Sequence, residues 1–143
     1  MAELLAGKKL LKNGDGQTEY NGDVLKDKVV GLYFSAHWCP PCRRFTPLLK
    51  EFHASLEGDF EVVFCSSDNS EEQLKEYLSE AHGDWYYLPF EDDTIKELDE
   101  KYAIEGIPTL VIIKPNGDVI VEDAVEEVME NKPQDSLQKW KSA

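Results

Sequence analysis

The chain has 143 residues, 41% of them hydrophobic, and a formal net charge of −14 at neutral pH. That length suits one domain with a core large enough to fold without metal or disulfide staples. The charge repels nucleic-acid phosphate and anionic lipid, so no direct nucleic-acid binding and no membrane association are expected, and no run approaches the roughly 20 apolar residues of a membrane span.

The opening stretch, Met1 to Lys9, lacks the basic start, apolar run and cleavage site of a secretory signal. The expected location is cytoplasmic, with nuclear entry open to so small a chain by diffusion. Cysteines stand at 39, 42 and 65. In a reducing compartment a close pair points to catalysis or metal binding rather than a disulfide scaffold.

Lys9 to Leu11 and Thr18 to Tyr20, around Asn13-Gly14-Asp15-Gly16, read as a β-hairpin. Val29 to Ala36 is a continuous apolar run, as in a strand buried on both faces. From Arg43 to Leu56, Phe45, Leu48, Leu49, Phe52 and Leu56 recur at helical spacing. Pro47 is expected to kink that helix and Gly58 to follow its end. Glu61 to Ser66 is a second buried strand. Ser70 with Gln73 forms a capping-box signature for a helix carrying Leu74, Tyr77 and Leu78 and ending near Gly83.

Trp85 to Phe90 is a short aromatic segment, and Thr94 to Tyr102 a further helix with Ile95, Leu98 and Tyr102 on one face. Thr109 to Lys114 is a third buried strand. Pro115-Asn116-Gly117-Asp118 turns it into a partner at Val119 to Val121, and a last helix after Asp135 carries Leu137 and Trp140. Strands alternating with helices predict a three-layer α/β domain, with parallel central strands and an antiparallel pair toward the end. One domain over 1–143 is expected: a hairpin at about 9–20, a core at about 28–123 and a terminal helix at about 135–142.

Trp38-Cys39-Pro40-Pro41-Cys42 sits where a buried strand gives way to a helix. Residues three apart in a first helical turn share a face and lie within disulfide reach. Unpaired N–H groups and the positive end of the helix dipole favour thiolate over thiol at Cys39, which makes it the nucleophile. Cys42, one turn further in, is the less exposed resolving thiol. Pro40 and Pro41 stiffen the segment between them.

The stretch Phe34-Ser35-Ala36-His37-Trp38-Cys39-Pro40-Pro41-Cys42-Arg43 with Phe45-Thr46-Pro47 resembles the tryparedoxin and nucleoredoxin branch of the thioredoxin superfamily. So do Glu61-Val62-Val63-Phe64 with Ser66-Ser67-Asp68, and Gly106-Ile107-Pro108-Thr109-Leu110, so the likeness spans about 9 to 121. It implies a thioredoxin fold, α/β/α with a central mixed sheet, and a cis proline at Ile107-Pro108 facing the thiols. It also implies substrate pairing along the backbone at Ile107, with Trp38 as a flat apolar rim. Such proteins reduce disulfide-containing protein substrates and are recharged by a dithiol or flavoprotein reductase, without a bound cofactor.

Two departures stand out. Where ordinary thioredoxins carry a buried Asp six residues before the first cysteine, this chain has Tyr33, as in the tryparedoxin branch. The proton path for Cys42 then falls to water or a carboxylate such as Asp68. Where tryparedoxins carry Trp and Glu after the second strand, Ser67 and Asn69 stand nearby, which favours a nucleoredoxin-like protein.

Structural zinc needs two more ligands than the Cys pair, and His37, His53 and His82 are scattered, so no metal is expected. Cys65, mid-strand, reads as core packing. His37 and Arg43 or Arg44 could tune the thiolate, though loop and helix surface are the plainer readings. Trp85, Tyr86 and Tyr87 form either a sticky patch or core. Glu91-Asp92-Asp93 and Glu122 to Glu127 lack calcium-loop spacing.

The expected function is reduction of protein disulfides by a monomer, serving intracellular redox balance and redox control of signalling proteins or transcription factors. The alternative is a redox-switched binding module with little turnover.

Overall fold

In the computed structural model, residues 10–13, 19–20, 28–56, 59–83, 85–114 and 117–142 are described. The strands are β1 (Leu10–Lys12), β2 (Glu19–Tyr20), β3 (Val29–Ser35), β4 (Phe60–Ser66), β5 (Tyr86–Tyr87), β6 (Thr109–Ile113) and β7 (Val119–Val121). The helices are α1 (Pro40–Ser55), α2 (Glu71–Ala81), α3 (Asp93–Lys101), α4 (Val125–Glu130) and α5 (Pro133–Lys141).

The strands form one seven-stranded mixed sheet in the order β2-β1-β5-β4-β3-β6-β7. β3 runs parallel to β4 from Val29↔Phe60 to Ser35↔Ser66, and antiparallel to β6. All seven residues of β3 are buried, as its unbroken apolar run requires. Alternate residues serve opposite faces. Tyr33 joins Val62, Phe64 and Leu110 beneath α1, α2, α4 and α5, while Val30, Leu32 and Phe34 join Val63, Val111 and Ile113 on the face that meets α3.

α1 lays Phe45, Leu49 and Phe52 on the first of these faces. Each such side chain contributes roughly 1.5–3 kcal/mol by leaving water. It runs unbroken past Pro47, which cannot donate to the carbonyl four residues back. α2 begins as its capping box predicts: Ser70 Oγ accepts from Gln73 N at 3.2 Å, and Gln73 Oε1 accepts from Asn69 N at 3.1 Å. Its far end is held by Asn13, whose Nδ2 donates to the carbonyls of Leu78 and Gly83, 3.0 Å from each. Gly31 is a packing requirement, since a Cβ there would lie 2.9 Å from Leu110 Cδ1.

Three features differ from the sequence reading. Tyr86–Tyr87 is a strand, parallel to β4 and antiparallel to β1, so the aromatic segment knits the hairpin to the core. Trp85 and Tyr86 are buried, which removes the sticky-patch reading. The acidic segment after β7 contains the short helix α4, with Val128 turned inward. The turns at 14–18 and 115–116, and Gly58, lie outside the described residues. No helix among the described residues is long and apolar enough to cross a membrane.

Candidate active site

β3 ends and α1 begins at the Cys-Pro-Pro-Cys segment. Cys39 is the N-cap of α1 in extended conformation (φ −96°, ψ 109°), and its own N–H donates to Ala36 O at 3.2 Å. Pro40 and Pro41 fill the first helical positions, where an N–H would have no partner within the helix. The first N–H the turn offers is therefore that of Cys42, and it donates to Cys39 Sγ at 3.4 Å. A sulfur held at a helix N-terminus and met by an N–H is one whose negative charge is stabilised.

Cys39 is 5% exposed and Cys42 fully buried, and both are free thiols. Burial, then the hydrogen bond shared with the Cys39 thiol, pushes Cys42 up to about 11, while the Ser35 hydroxyl and the Ala36 backbone pull the other way. Ile107-Pro108 is a cis peptide, and the Ile107 carbonyl oxygen stands 3.9 Å from Cys39 Sγ. Ile107 also packs against Ala36, Cys39 and Cys42. Trp38 is 49% exposed beside them, pinned by its Nε1, which donates to Ser67 O at 3.1 Å. Pro40, Pro41, Arg43 and Arg44 face solvent.

Asp68, the carboxylate considered for Cys42, has other partners. Its Oδ1 accepts from His37 N at 2.6 Å and its Oδ2 from Ser66 Oγ at 2.7 Å, so it ties the loop before the cysteines to the end of β4. His37 itself points outward to Glu80, 2.9 Å away. Cys65 is buried in the opposite face of the sheet, and burial pushes its thiol up.

What sequence reasoning missed lies directly behind Cys42. Tyr33 OH and Tyr77 OH each stand 2.5 Å from Thr46 Oγ1, and Ser35 Oγ stands 2.6 Å from Tyr77 OH. Thr46 Oγ1 also donates to Cys42 O at 2.8 Å. Burial raises both tyrosines above the ordinary phenol range. His82 packs its ring against Tyr33 and Tyr77; its Nδ1 accepts from Trp85 Nε1 at 3.0 Å. Burial pushes this imidazole down to about 3. Among the described residues no three His, Cys, Asp or Glu side chains cluster as metal ligands.

A family model described as Thioredoxin-like matches residues 27–119, which hold both the cysteine pair and the Ile107-Pro108 peptide. The chain belongs to that family. It is 35% identical over 141 residues to human nucleoredoxin-like protein 1, covering 90% of this chain and 66% of that protein. It is 39% identical over 134 residues to mouse nucleoredoxin, covering 91% of this chain and 30% of that one. The chain thus spans less than the full length of these relatives.

Among solved structures it superposes on a thioredoxin from Wuchereria bancrofti with TM-score 0.81 at 47% identity, covering 94% of each chain. Tryparedoxin II from Crithidia fasciculata gives TM-score 0.79 at 34% identity, covering 90% of each. The fold is the thioredoxin fold, in its nucleoredoxin and tryparedoxin-like branch.

Proposed function

We propose that this chain reduces protein disulfides by dithiol–disulfide exchange. The Cys39 thiolate attacks one sulfur of a substrate disulfide, forming a mixed disulfide and releasing the first substrate thiolate. Cys42 then attacks Cys39 Sγ and releases the second, its own proton balancing the departing thiolate. Two electrons pass from the dithiol to the substrate, and the Cys39–Cys42 disulfide is left for an upstream dithiol or flavoprotein reductase to recharge.

The observation that carries this reading is the pairing of roles in one helical turn. Cys39 sits at the helix N-terminus with an N–H on its sulfur, and Cys42 sits buried behind it. Trp38 would offer a flat apolar rim, Pro40 and Pro41 a fixed first turn, and Ile107 with Pro108 a backbone edge for an extended substrate segment. The charge of −14 disfavours direct nucleic-acid binding, so any influence on transcription would run through redox change of another protein. We place the protein as a monomer in the cytoplasm, with diffusion into the nucleus. Insulin reduction driven by dithiothreitol tests the proposal. The full chain is expected to accelerate it and a Cys39→Ser variant to leave the dithiothreitol background; equal rates for the two would overturn the reading.

A further inference from the structure

Carboxylates outnumber cations on this chain, 29 to 15. Lys28, Lys75, Lys139 and Lys141 each reach one, Lys75 from Glu71 a turn away on its own helix. Arg43 and Arg44, beside the cysteines, do not: both face solvent, and neither makes an ion pair among the described residues. The sequence explains why. A helical side chain meets those three and four positions away. For Arg43 these are Cys39, Pro40, Thr46 and Pro47, and for Arg44 they are Pro40, Pro41, Pro47 and Leu48, with no acid among them. The helix dipole disfavours cations in opening turns, so the fold itself gains nothing from this pair of charges.

Their backbone is fixed against the nucleophile. Arg43 N donates to Cys39 O at 3.1 Å, which sets Arg43 one turn from Cys39, and Arg44 stands one turn from Pro40. Side chains on a helix lean back toward its N-terminus, so both arginines lean toward the turn that carries the reactive sulfur. The same face is otherwise apolar: Trp38, Pro47 and Leu48 are all exposed. Pro40 to Leu48 rises about 12 Å along the helix, the length of about four extended residues. The loop that packs Ile107 against Cys39 instead exposes Glu105, and Glu80 is taken by His37. Unpaired positive charge thus lies on the α1 side of the nucleophile and negative charge on the loop side.

We propose that Arg43 and Arg44 are specificity residues that select protein disulfides with acidic residues within about four positions of the attacked cysteine. The inference rests on the reductase reading and adds no chemical step to it. Guanidinium forks match carboxylates bidentately, while Trp38, Pro47 and Leu48 give the chain between them apolar contact. The occupant is a polypeptide, because the strip from Trp38 to Leu48 is longer than a small disulfide reaches. The net charge of −14 predicts the reverse preference, for basic segments. At about 0.15 M salt, charges act over about 8 Å, so two arginines a turn from the cysteines outweigh carboxylates spread over the rest of the surface. The two expectations have opposite sign, which makes the choice measurable.

The substrates for the test are disulfide-linked peptide dimers, identical except for Glu, Gln or Lys at the positions flanking the cysteine. The full chain reduces them with dithiothreitol as reductant. At about 0.15 M salt, kcat/KM for the Glu dimer is expected to exceed that for the Gln dimer about fivefold, with the difference in KM. Arg43→Gln/Arg44→Gln should bring that ratio to about one, and 1 M salt should do the same. Arg43→Lys/Arg44→Lys should keep part of it, the charge without the fork. Lys96→Gln/Lys132→Gln removes the same net charge from exposed positions, Lys96 on α3 across the sheet, and should leave the ratio alone.

A ratio that survives in the arginine-to-glutamine variant, or that the lysine control lowers as far, overturns the proposal. Should that variant not fold, the wild-type salt series decides. A preference for the Glu dimer that 1 M salt abolishes supports the arginines; a preference for the Lys dimer, or a ratio indifferent to salt, overturns them. Insulin reduction with no preference among the dimers also overturns them and leaves the reductase reading intact. A wild type that reduces neither insulin nor any dimer beyond the dithiothreitol background would overturn that reading, and the selectivity with it.

Discussion

The two ends of β3 bury polar groups in opposite styles. At its start, Lys28 Nζ lies 3.2 Å from Glu61 Oε2, and His53 Nε2 lies 3.1 Å from Glu61 Oε1. At its finish, Ser35, Tyr33, Thr46 and Tyr77 form a chain of neutral hydroxyls. α1 joins the two, with Cys39 and Cys42 at one end and His53 near the other. At the start, a carboxylate that takes no part in thiol exchange is held by a lysine and an imidazole. On the proposed function Cys42 carries a thiolate only in passing, and a transient charge is better met by dipoles that can turn. On that reading the sheet has a static end and a switching end.

Removing the thiol at the switching end has the largest expected effect. Cys42→Ser should cut insulin reduction about a hundredfold or more, because the mixed disulfide on Cys39 can no longer be resolved from within. Non-reducing electrophoresis should then show substrate trapped on Cys39; rapid turnover by that variant would break the division of labour between the thiols. At the static end the cost appears in stability. Burial pushes the Glu61 carboxyl up, but the His53 hydrogen bond and the charges of His53 and Lys28 outweigh it and hold the group below the usual carboxylate range.

Glu61→Gln is therefore expected to cost about 2 kcal/mol at neutral pH, the figure being tempered by the partial exposure of Lys28. A carboxyl lowered on folding stabilises above its unfolded value, near 4.3, and that stability is lost as pH falls toward the folded one. The gap between wild type and variant in urea melts should accordingly close in acid. A gap that persists unchanged at acid pH would mean that packing, not charge, holds this corner.

The switching end was half legible in the sequence, and the reason is distance along the chain. The two cysteines and two prolines are contiguous, so their placement at a strand-to-helix junction followed from local pattern alone. The hydroxyl chain draws on β3, α1 and α2, and nothing local links Ser35 to Tyr77, 42 residues away. Tyr33 signalled only that an acid was missing. β5 escaped because a two-residue strand carries no periodicity and is defined by its neighbours β4 and β1. α4 escaped because it is six residues long and starts at Ala124 without a side-chain cap, so its glutamates read as plain surface. The long buried strands and the capped helices, where local preference and burial agree, were readable throughout.

His82 packs against Tyr33 and Tyr77 at the cysteine end, yet burial holds its own charge state constant. With the folded imidazole held near 3 by burial and the unfolded one near 6.5, the unfolded chain binds a proton that the native state refuses. The stability this group contributes is complete above about pH 6.5 and is lost as pH falls toward 3. Between pH 6.5 and 5, above the carboxylate range, wild type should lose up to about 1.4 kcal/mol per pH unit through this one site. His82→Gln keeps an acceptor for Trp85 Nε1 and should flatten that slope in urea melts. An unchanged slope would show that the acid sensitivity arises elsewhere.

The smallest effect is expected from the pair that looks strongest by distance. His37 Nε2 and Glu80 Oε2 are 2.9 Å apart, closer than His53 and Glu61 at 3.1 Å, and they stand next to the cysteines. Glu80, however, keeps 59% of its side chain in water, against 11% for Glu61. Water screens the attraction and the side chains give up rotamer freedom to make it, so Glu80→Gln should change stability by less than about 0.5 kcal/mol. High salt should erase even that difference, while leaving most of the Glu61→Gln deficit in place. If the two variants instead responded alike to 1 M salt, the contrast between the buried Glu61 pair at one end of β3 and the solvated Glu80 pair beside the cysteines would fail where it is easiest to measure.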